Sequence, residues 1–341
     1  MKQSTRSRGQ RAMNLRSTLV NSGLTAVMCA AISSGVHAQY TTVRPPAAYI
    51  ASEANGTDGL NVVGDMWTST GGYAGWLYNG STFSTLNDPL ASNNTQLSCV
   101  YGNLIGGQYT DAQGHQHGFV YDGTTYTTLP YANDFADQSV SAMHGSTIVG
   151  SAELNDGSIV GYVYNGSTYR EISDPNAPQI TNVQGISGNT VIGRYEDSSL
   201  NYHGFEYNLT SGVFTDFNVP GSADTFLDGT DGTTLTGTYT DLTGRNHGFL
   251  FGGGQFTTVD YPFASNDGFG TALVGVKGDI AVGYYSDDTY FAAPFEYQFT
   301  PASSPSSPAS TPEPGSLALL SGLGIAGAGF FRRKSAARRK I

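Results

Sequence analysis

The sequence predicts an all-β chain whose body is a six-bladed β-propeller, and three observations support this fold class. Of the 341 residues, 45 are glycine and 21 are tyrosine, while only 13% are charged, which is typical of short strands joined by tight turns. A unit of about 43 residues recurs six times along the chain. The sixth unit lacks its last strand, and a matching strand occurs at the opposite end of the body.

Charge is distributed unevenly along the chain. The net charge is −11, but residues 1–38 hold five of the 16 basic side chains and the last ten residues hold six. The body between them therefore has five basic side chains against all 27 acidic ones. Binding to phosphate backbones needs clustered Lys and Arg, so nucleic acid is excluded as a natural partner.

Residues 1–38 predict a signal peptide. A basic stretch is followed by a mostly apolar run over Thr18–Ile32, and Val36-His37-Ala38 fits the small-x-small pattern of a cleavage site. Cleavage is therefore predicted between Ala38 and Gln39. An uncleaved membrane anchor is the alternative, which is disfavoured because the apolar run is short and is interrupted by polar residues.

Pairs of glycines, five residues apart, mark each of the six units. The pairs are Gly59/Gly64, Gly102/Gly107, Gly145/Gly150, Gly188/Gly193, Gly232/Gly237 and Gly278/Gly283. Twelve residues after the second glycine, every unit has an aromatic residue: Trp76, Phe119, Tyr162, Phe205, Phe249 or Phe295. Successive units are offset by 43, 43, 43, 44 and 46 residues. Such regular internal spacing indicates one structural unit repeated six times.

Each unit is predicted to form four antiparallel strands. In the second unit the predicted strands are Gln96–Tyr101, Leu104–Tyr109, His117–Tyr121 and Tyr126–Leu129. Asp122-Gly123, between the last two, predicts a hairpin turn in which both central residues have positive φ. Four short strands in about 43 residues are typical of a propeller blade.

The incomplete sixth unit predicts how the ring closes. This unit ends at Tyr297-Gln298-Phe299 without a fourth strand, whereas Tyr40-Thr41-Thr42-Val43 matches Phe256-Thr257-Thr258-Val259 of the fifth unit. The segment at the start of the body, residues 39–300, is therefore predicted to supply the outer strand of the last blade. Closure removes the exposed sheet edges of an open stack. An open solenoid, the alternative, does not explain the divided unit.

The C-terminal region contains a second targeting pattern. A Pro/Ser linker over residues 301–311 precedes Pro312-Glu313-Pro314, which is followed by an apolar run over 317–331 and by Arg332-Arg333. The run is marginal for a bilayer, which needs about 20 apolar residues, and the basic tail favours a cytoplasmic end.

This order of elements over residues 312–341 resembles the PEP-CTERM sorting signal of Gram-negative bacteria that make exopolysaccharide. The resemblance implies a transient anchor in the inner membrane, processing by an exosortase-type enzyme and release of the body beyond that membrane. A permanent single-span anchor is the alternative.

Three units contain a short histidine motif: His117-Gly118-Phe119, His203-Gly204-Phe205 and His247-Gly248-Phe249. On these residues the body resembles HAF-type extracellular repeats, named for His-Ala-Phe, although glycine replaces the alanine and three units lack the histidine. The resemblance implies an exported repeat protein and brings no catalytic residues. Because the histidines recur with the unit, we expect them to cap a strand or to pack beside the preceding loop.

Aspartates are concentrated in loops that a propeller places on one face. Four of them follow the second glycine of their unit by four residues: Asp111, Asp197, Asp241 and Asp287. Loops between units are predicted to add Asp88, Asp134, Asp137, Asp174, Asp224, Asp228, Asp260 and Asp267, with Tyr131, Phe135, Tyr261 and Phe263 among them. This acidic rim either supports turns and solubility, or binds Ca²⁺ and stacks sugar rings.

No catalytic motif is found in the sequence: metal-ligand spacing of histidines, a Gly-x-Ser-x-Gly elbow and a phosphate loop are all lacking. We therefore expect a non-enzymatic surface or matrix protein with a binding or scaffold role linked to exopolysaccharide or biofilm. One alternative is a polysaccharide-active enzyme that uses a rim carboxylate pair about 5–10 Å apart. Others are a purely structural biofilm component whose acidic face binds divalent ions, and a permanently membrane-anchored surface protein.

Overall fold

The computed structural model describes residues 39–45, 49–69, 71–132, 134–265, 269–286 and 292–300. These residues form 24 β-strands, β1 to β24. The predicted signal peptide with Ala38, the linker, the sorting residues Pro312, Glu313, Pro314, Arg332 and Arg333, and the apolar run 317–331 lie outside the described residues.

The first three blades are four-stranded antiparallel sheets in simple chain order. Blade 1 contains β2 (Tyr49–Thr57), β3 (Val62–Thr68), β4 (Tyr73–Tyr78) and β5 (Phe83–Leu86). Blade 2 contains β6 (Asn94–Tyr101), β7 (Leu104–Thr110), β8 (Gln116–Tyr121) and β9 (Tyr126–Thr128). Blade 3 contains β10 (Phe135–His144), β11 (Thr147–Leu154), β12 (Ile159–Tyr164) and β13 (Tyr169–Ile172). The four strands predicted for the second unit are confirmed to within two residues at each end.

The remaining blades repeat this order, except for the strand that completes the last one. Blade 4 contains β14 (Thr181–Ser187), β15 (Thr190–Glu196), β16 (Tyr202–Asn208) and β17 (Phe214–Phe217). Blade 5 contains β18 (Asp224–Thr230), β19 (Thr234–Thr240), β20 (Asn246–Gly252) and β21 (Gln255–Val259). Blade 6 contains β22 (Thr271–Lys277), β23 (Ile280–Tyr285), β24 (Ala293–Gln298) and, from the start of the body, β1 (Gln39–Thr42).

The ring is closed by β1, as the sequence predicts. This strand pairs antiparallel with β24, and Tyr40 lies opposite Tyr297 with their ring centroids 4.9 Å apart. The Tyr40 ring also packs edge-on against Tyr261 at 5.2 Å, and its hydroxyl donates a hydrogen bond to the backbone oxygen of Asp260 at 2.9 Å. The innermost strands of neighbouring blades contact each other around the ring, including β22 against β2. The predicted six-bladed propeller is therefore confirmed.

The paired glycines of each unit have two different structural causes. The first glycine of each pair has a φ between 57° and 95° in the turn between the first two strands, a conformation that side chains disfavour. A Cβ atom on the second glycine would lie only 1.9–2.0 Å from a backbone oxygen of the innermost strand. The repeated aromatic residue packs beside this glycine and is at most 1% exposed in every blade. The second glycine thus recurs because two strands and an aromatic side chain approach closely at its position.

The hairpin at Asp122-Gly123 differs from its prediction. Gly123 has a φ of 97°, but Asp122 does not, since Leu200 is the single non-glycine residue with positive φ in the described part of the chain. Asp122 Oδ1 instead accepts hydrogen bonds from the backbone N–H groups of Thr124 at 2.8 Å and Thr125 at 2.7 Å. The expectation of positive φ at both positions was wrong, because side-chain capping by aspartate stabilises this turn in a different conformation.

Candidate functional site

The six innermost strands surround a central channel with a cavity volume of about 770 Å³. Side chains of a β-strand point alternately to opposite faces, so every second residue of these strands lines the channel and the others enter the cores between blades. The cavity extends from Asp58 and Asp231, in the turns of one face, to Asn246 and Phe269 toward the other. The propeller fold thereby brings residues from all six units to one site.

A β-bulge recurs at the same position of every innermost strand. The register between the first two strands of each blade shifts at Asn55, Ser98, Ser141, Gln184, Asp228 and Val274, and blades 1 and 3 have one further shift near the start of the innermost strand. All six of these residues line the cavity. A bulge redirects a side chain and increases local twist. The bulges therefore form one ring of side chains around the channel.

Two further rings of residues line the same channel. The residues two positions before the bulge are Glu53, Gln96, Ser139, Asn182, Phe226 and Ala272. The residues that directly follow the second repeat glycine are Asp65, Gln108, Ser151, Arg194, Thr238 and Tyr284. Each ring combines charged, amide and hydroxyl side chains, and two of the three rings also contain apolar ones. The units thus repeat in their cores but differ at the channel.

A pair of carboxyl groups faces the channel in blade 1. Glu53 on β2 lies directly opposite Asp65 on β3. Burial raises the pKa of Glu53 to about 7, and the neighbouring charge of Asp65 adds to this shift. Burial also raises the pKa of Asp65 to about 6, although hydrogen bonds from Asn55 and Gln96 oppose the shift. Among the described residues, the Glu53 carboxyl has neither a hydrogen-bond nor an ion-pair partner.

The nearby arginine is already paired. Arg194 Nη1 lies 3.2 Å from Asp228 Oδ1, and the guanidinium carbon lies 5.1 Å from the ring centre of Phe226. Burial raises the pKa of Asp228 to about 6, against the lowering effect of the Arg194 charge. Burial likewise raises the pKa of Tyr284, and the charges of Glu53 and Asp228 raise it further. This pairing leaves the carboxyl groups of Glu53 and Asp65 without a cation of their own.

Two aromatic side chains adjoin the carboxyl pair. Trp67 lies two residues after Asp65 on β3 and therefore on the same face of the strand. It is 36% exposed and packs edge-on against Tyr73, with their ring centroids 4.8 Å apart. Burial raises the pKa of Tyr73, as do the charges of Asp65 and Glu53. This partly exposed aromatic pair lies next to the cavity on the same strand face as Asp65, although neither ring is part of the cavity lining.

The rim aspartates lie in separate blades and contact their own loops. Their Oδ2 atoms approach histidine Nε2 within the same blade at 2.9 Å for Asp111–His117, 3.0 Å for Asp197–His203 and 3.3 Å for Asp241–His247. Their Oδ1 atoms accept backbone N–H groups of the loop, and hydrogen bonds lower the pKa of Asp111 and of Asp197 to about 2. The three histidine rings stack on tyrosines of the preceding strand. The expected packing of the histidines beside that loop is confirmed, whereas Asp267 and Asp287 lie outside the described residues.

Several residues assigned to the rim occupy other places. Asp228 was expected in the loop before blade 5. The first strand of this blade, β18, already begins at Asp224, so Asp228 lies within the strand and faces the channel. Phe135 and Tyr261 are only 5% and 8% exposed, since apolar rings next to a blade pack into its core. Tyr131 and Phe263 remain exposed. Within the described ranges, no group of three or more His, Cys, Asp or Glu side chains is placed to hold a metal, and the Ca²⁺ expectation stays a prediction.

Sequence reasoning missed the channel site because it searched for residues that recur. Glu53, Asp65 and Arg194 occupy positions where the aligned units differ from one another. If the units are compared only at the positions where they differ, these three residues are identified by their charge. Their convergence in one cavity follows from ring closure alone.

Comparison with solved structures supports the fold. The SapL1 lectin in complex with alpha methyl fucoside superposes with a TM-score of 0.52 at 13% identity, over 74% of this chain and 94% of that chain. The Aleuria aurantia lectin, a fungal six-bladed propeller, gives 0.50 at 12% identity, over 74% and 93%. TolB from Acinetobacter baumannii gives 0.49 at 10% identity, and the chain covers only 65% of that protein. The two lectin superpositions thus agree with the six-bladed β-propeller fold of this chain.

The C-terminal resemblance is also supported. The PEP-CTERM protein-sorting motif is found at residues 310–334, which include the Pro312-Glu313-Pro314 sequence. This motif implies processing by an exosortase-type enzyme and indicates export to the cell surface. Within the described part of the chain there is no helix of sufficient length and apolarity to cross a membrane. No curated protein matches the chain, and the resemblance to HAF-type repeats stays a prediction.

Proposed function

We propose that this protein is an exported, surface-displayed propeller that binds an exopolysaccharide in its central channel without cleaving it. One observation carries the proposal: the units repeat in their cores but differ at the channel, where Glu53 and Asp65 have no cationic partner among the residues that the structure describes. A scaffold alone requires only the repeated residues. Buried carboxyl groups cost stability, and shifted titratable groups in a cavity are typical of functional sites.

The sorting motif supports the extracellular setting of this function. A propeller released beyond the inner membrane meets the polysaccharides of the envelope and of the matrix. Its blades end in outer strands of only three to five residues, and such short edges limit pairing with other chains, so a rigid binder is compatible with a role in biofilm.

A second candidate is a polysaccharide-active enzyme, and one specific observation favours it. The two carboxyl groups of Glu53 and Asp65 lie side by side with pKa values raised to about 7 and about 6. A carboxyl that keeps its proton near neutral pH can serve as a general acid beside an ionised partner. In this candidate the channel pair replaces the rim pair as the catalytic group.

The test uses the purified full-length protein and the exopolysaccharide of its own host. Retention of the polysaccharide and release of new reducing ends are measured with Ca²⁺ and with a chelator. We expect retention without new ends, weakened by Glu53→Gln. The matched control is Glu171→Gln, the same chemical change at an exposed residue of the outer strand β13. Loss of retention by chelator would support Ca²⁺ at the rim.

Other outcomes would decide between the candidates. New reducing ends that disappear in Glu53→Gln would establish the enzyme. Absence of retention under all conditions would overturn a polysaccharide-binding function and leave a structural component.

A further inference from the structure

We infer that the acidic side of the channel recognises an amino sugar through its free ammonium group. This inference rests on the proposed function and specifies its ligand class. The ammonium would lie between the carboxyl groups of Glu53 and Asp65, with the sugar ring against Trp67 and Tyr73.

The charges in the channel favour a cationic ligand. Arg194 is paired with Asp228 at 3.2 Å, whereas Glu53 has no partner among the described residues and lies opposite a second carboxyl. Two neighbouring carboxyl groups in a partly desolvated cavity repel each other. A ligand that brings one positive charge removes this repulsion and gains charge-assisted hydrogen bonds.

An unpaired hydroxyl faces the same cavity. Tyr284 lines the cavity and is half-buried, and its hydroxyl has no hydrogen-bond partner within the part of the chain that the structure describes. This hydroxyl is open to the cavity and is not enclosed by protein, so a polar ligand atom can form a hydrogen bond with it. A sugar hydroxyl suits that position.

The aromatic pair Trp67 and Tyr73 offers a surface for a sugar ring. Trp67 and Asp65 are two residues apart on one face of β3, which separates them by about 6.6 Å along the strand. Trp67 is 36% exposed, although large aromatic side chains contribute most when they are covered. A ring stacked on Trp67 can therefore direct a substituent toward the carboxyl pair. Ammonium groups are also attracted to aromatic faces.

A metal ion fits the same groups less well. The described residues contain no group of three acidic, histidine or cysteine ligands, and the cavity volume of about 770 Å³ is that of an organic ligand site. The Asn55 amide that donates to Asp65 at 2.6 Å presents N–H, not oxygen, to the carboxyl. An organic cation is favoured because it donates hydrogen bonds and carries apolar surface.

Binding is expected to depend on pH through a defined set of groups. Those facing the pair are Arg194 with Asp228 across the channel, Tyr284 from blade 6 and Tyr73 from β4. The tyrosines stay neutral below pH 8, whereas Asp228, whose pKa is raised to about 6, loses its charge in the same range and leaves the positive charge of Arg194 unbalanced, which further disfavours a cationic ligand. Protonation of Glu53 and Asp65 should therefore weaken binding as the pH falls from 7 to 5.

The test compares three β-1,4-linked tetrasaccharides, those of glucosamine, N-acetylglucosamine and glucose, by calorimetry with the full-length protein. They differ only at the 2-substituent. We expect the amine form to bind at least tenfold more tightly than either neutral form at pH 7. Glu53→Gln should remove this preference, Trp67→Ala should weaken all three sugars, and Glu171→Gln should change nothing.

The outcomes separate this inference from the function on which it rests. Equal binding of the three sugars, or binding of none of them while the host polysaccharide is retained, would overturn amine recognition and leave the binding function intact. Failure to retain the polysaccharide as well would overturn both. Because the sugar comparison uses the unaltered protein, it remains decisive even if a variant does not fold.

Discussion

Glu53 lies directly opposite Asp65 on neighbouring strands of blade 1, and both carboxyl groups face the central channel. Their shared surroundings raise the pKa values of both groups. This arrangement disfavours ionisation in the folded state and therefore destabilises the native protein where both groups are charged. The ionisation of these two groups therefore connects ligand binding in the channel with the stability of the propeller.

The first prediction concerns the pH dependence of stability. Below about pH 4.5 Glu53 is protonated in the folded and the unfolded chain, whereas up to about pH 7 only the folded chain keeps the proton. The contribution of Glu53 to stability is therefore present in acid and is lost as the pH rises through 7. Glu53→Gln should raise the free energy of unfolding at pH 8 by about 1–3 kcal/mol and have little effect at pH 4.

Urea unfolding at the two pH values measures this difference. Glu171→Gln, at an exposed site, should leave both values unchanged. An equal effect of Glu53→Gln at pH 4 and pH 8 would contradict the raised pKa.

The second prediction concerns the strand that closes the ring. Tyr40 packs against Tyr261 and Tyr297 and donates a hydrogen bond to the Asp260 backbone. Tyr40→Ala should destabilise the protein by about 2–4 kcal/mol because it removes this packing. Tyr40→Phe keeps the ring and should cost only about 1 kcal/mol. Thermal unfolding of both variants tests the closure, and an unchanged melting temperature for Tyr40→Ala would mean that β1 does not hold the ring.

The third prediction concerns the repeated glycine. A Cβ atom at Gly193 would lie 2.0 Å from the Asn182 backbone oxygen and 2.8 Å from the Phe205 ring. Gly193→Ala should therefore cost about 3 kcal/mol, at the upper end of the usual cost of overpacking, because the contact is with backbone. Gly244→Ala is the matched control, since Gly244 has open space around it and a φ of 85°. That variant should cost about 1 kcal/mol through backbone strain alone. Comparable losses in the two variants would refute the close-approach explanation.

The fourth prediction concerns sorting. Replacement of Pro312-Glu313-Pro314 by alanines within the matched motif should block exosortase-type processing and keep the full-length precursor in the inner membrane. Mass measurement and cell fractionation report both effects. The same replacement at Ser304-Pro305-Ser306 of the linker is the control. If the motif variant is processed normally, a permanent single-span anchor becomes the better explanation of the C-terminal region.

Much of the fold was predictable because the constraints that build a blade are local. Gly102 marks a turn and Gly107 a close approach between strands, and Phe119 fills the space beside that glycine. Each constraint involves neighbouring strands of one unit, so it recurs with the unit and is visible in the sequence. Ring closure was predictable for the same reason, since Tyr40 continues the pattern of the outer strands.

The candidate site depended on the tertiary structure. Glu53, Arg194 and Tyr284 are far apart in the sequence, and they meet because six blades close around one channel. Asp228 shows why the sequence was not sufficient. Its position between two units placed it among the loop aspartates, whereas a bulge in β18 directs its side chain to Arg194. By itself the sequence determined the repeat, the blades, the closing strand and the targeting segments, because these follow from local spacing. Only the tertiary structure decided which carboxyl groups remain without a counter-ion, because burial and pairing depend on all six blades at once.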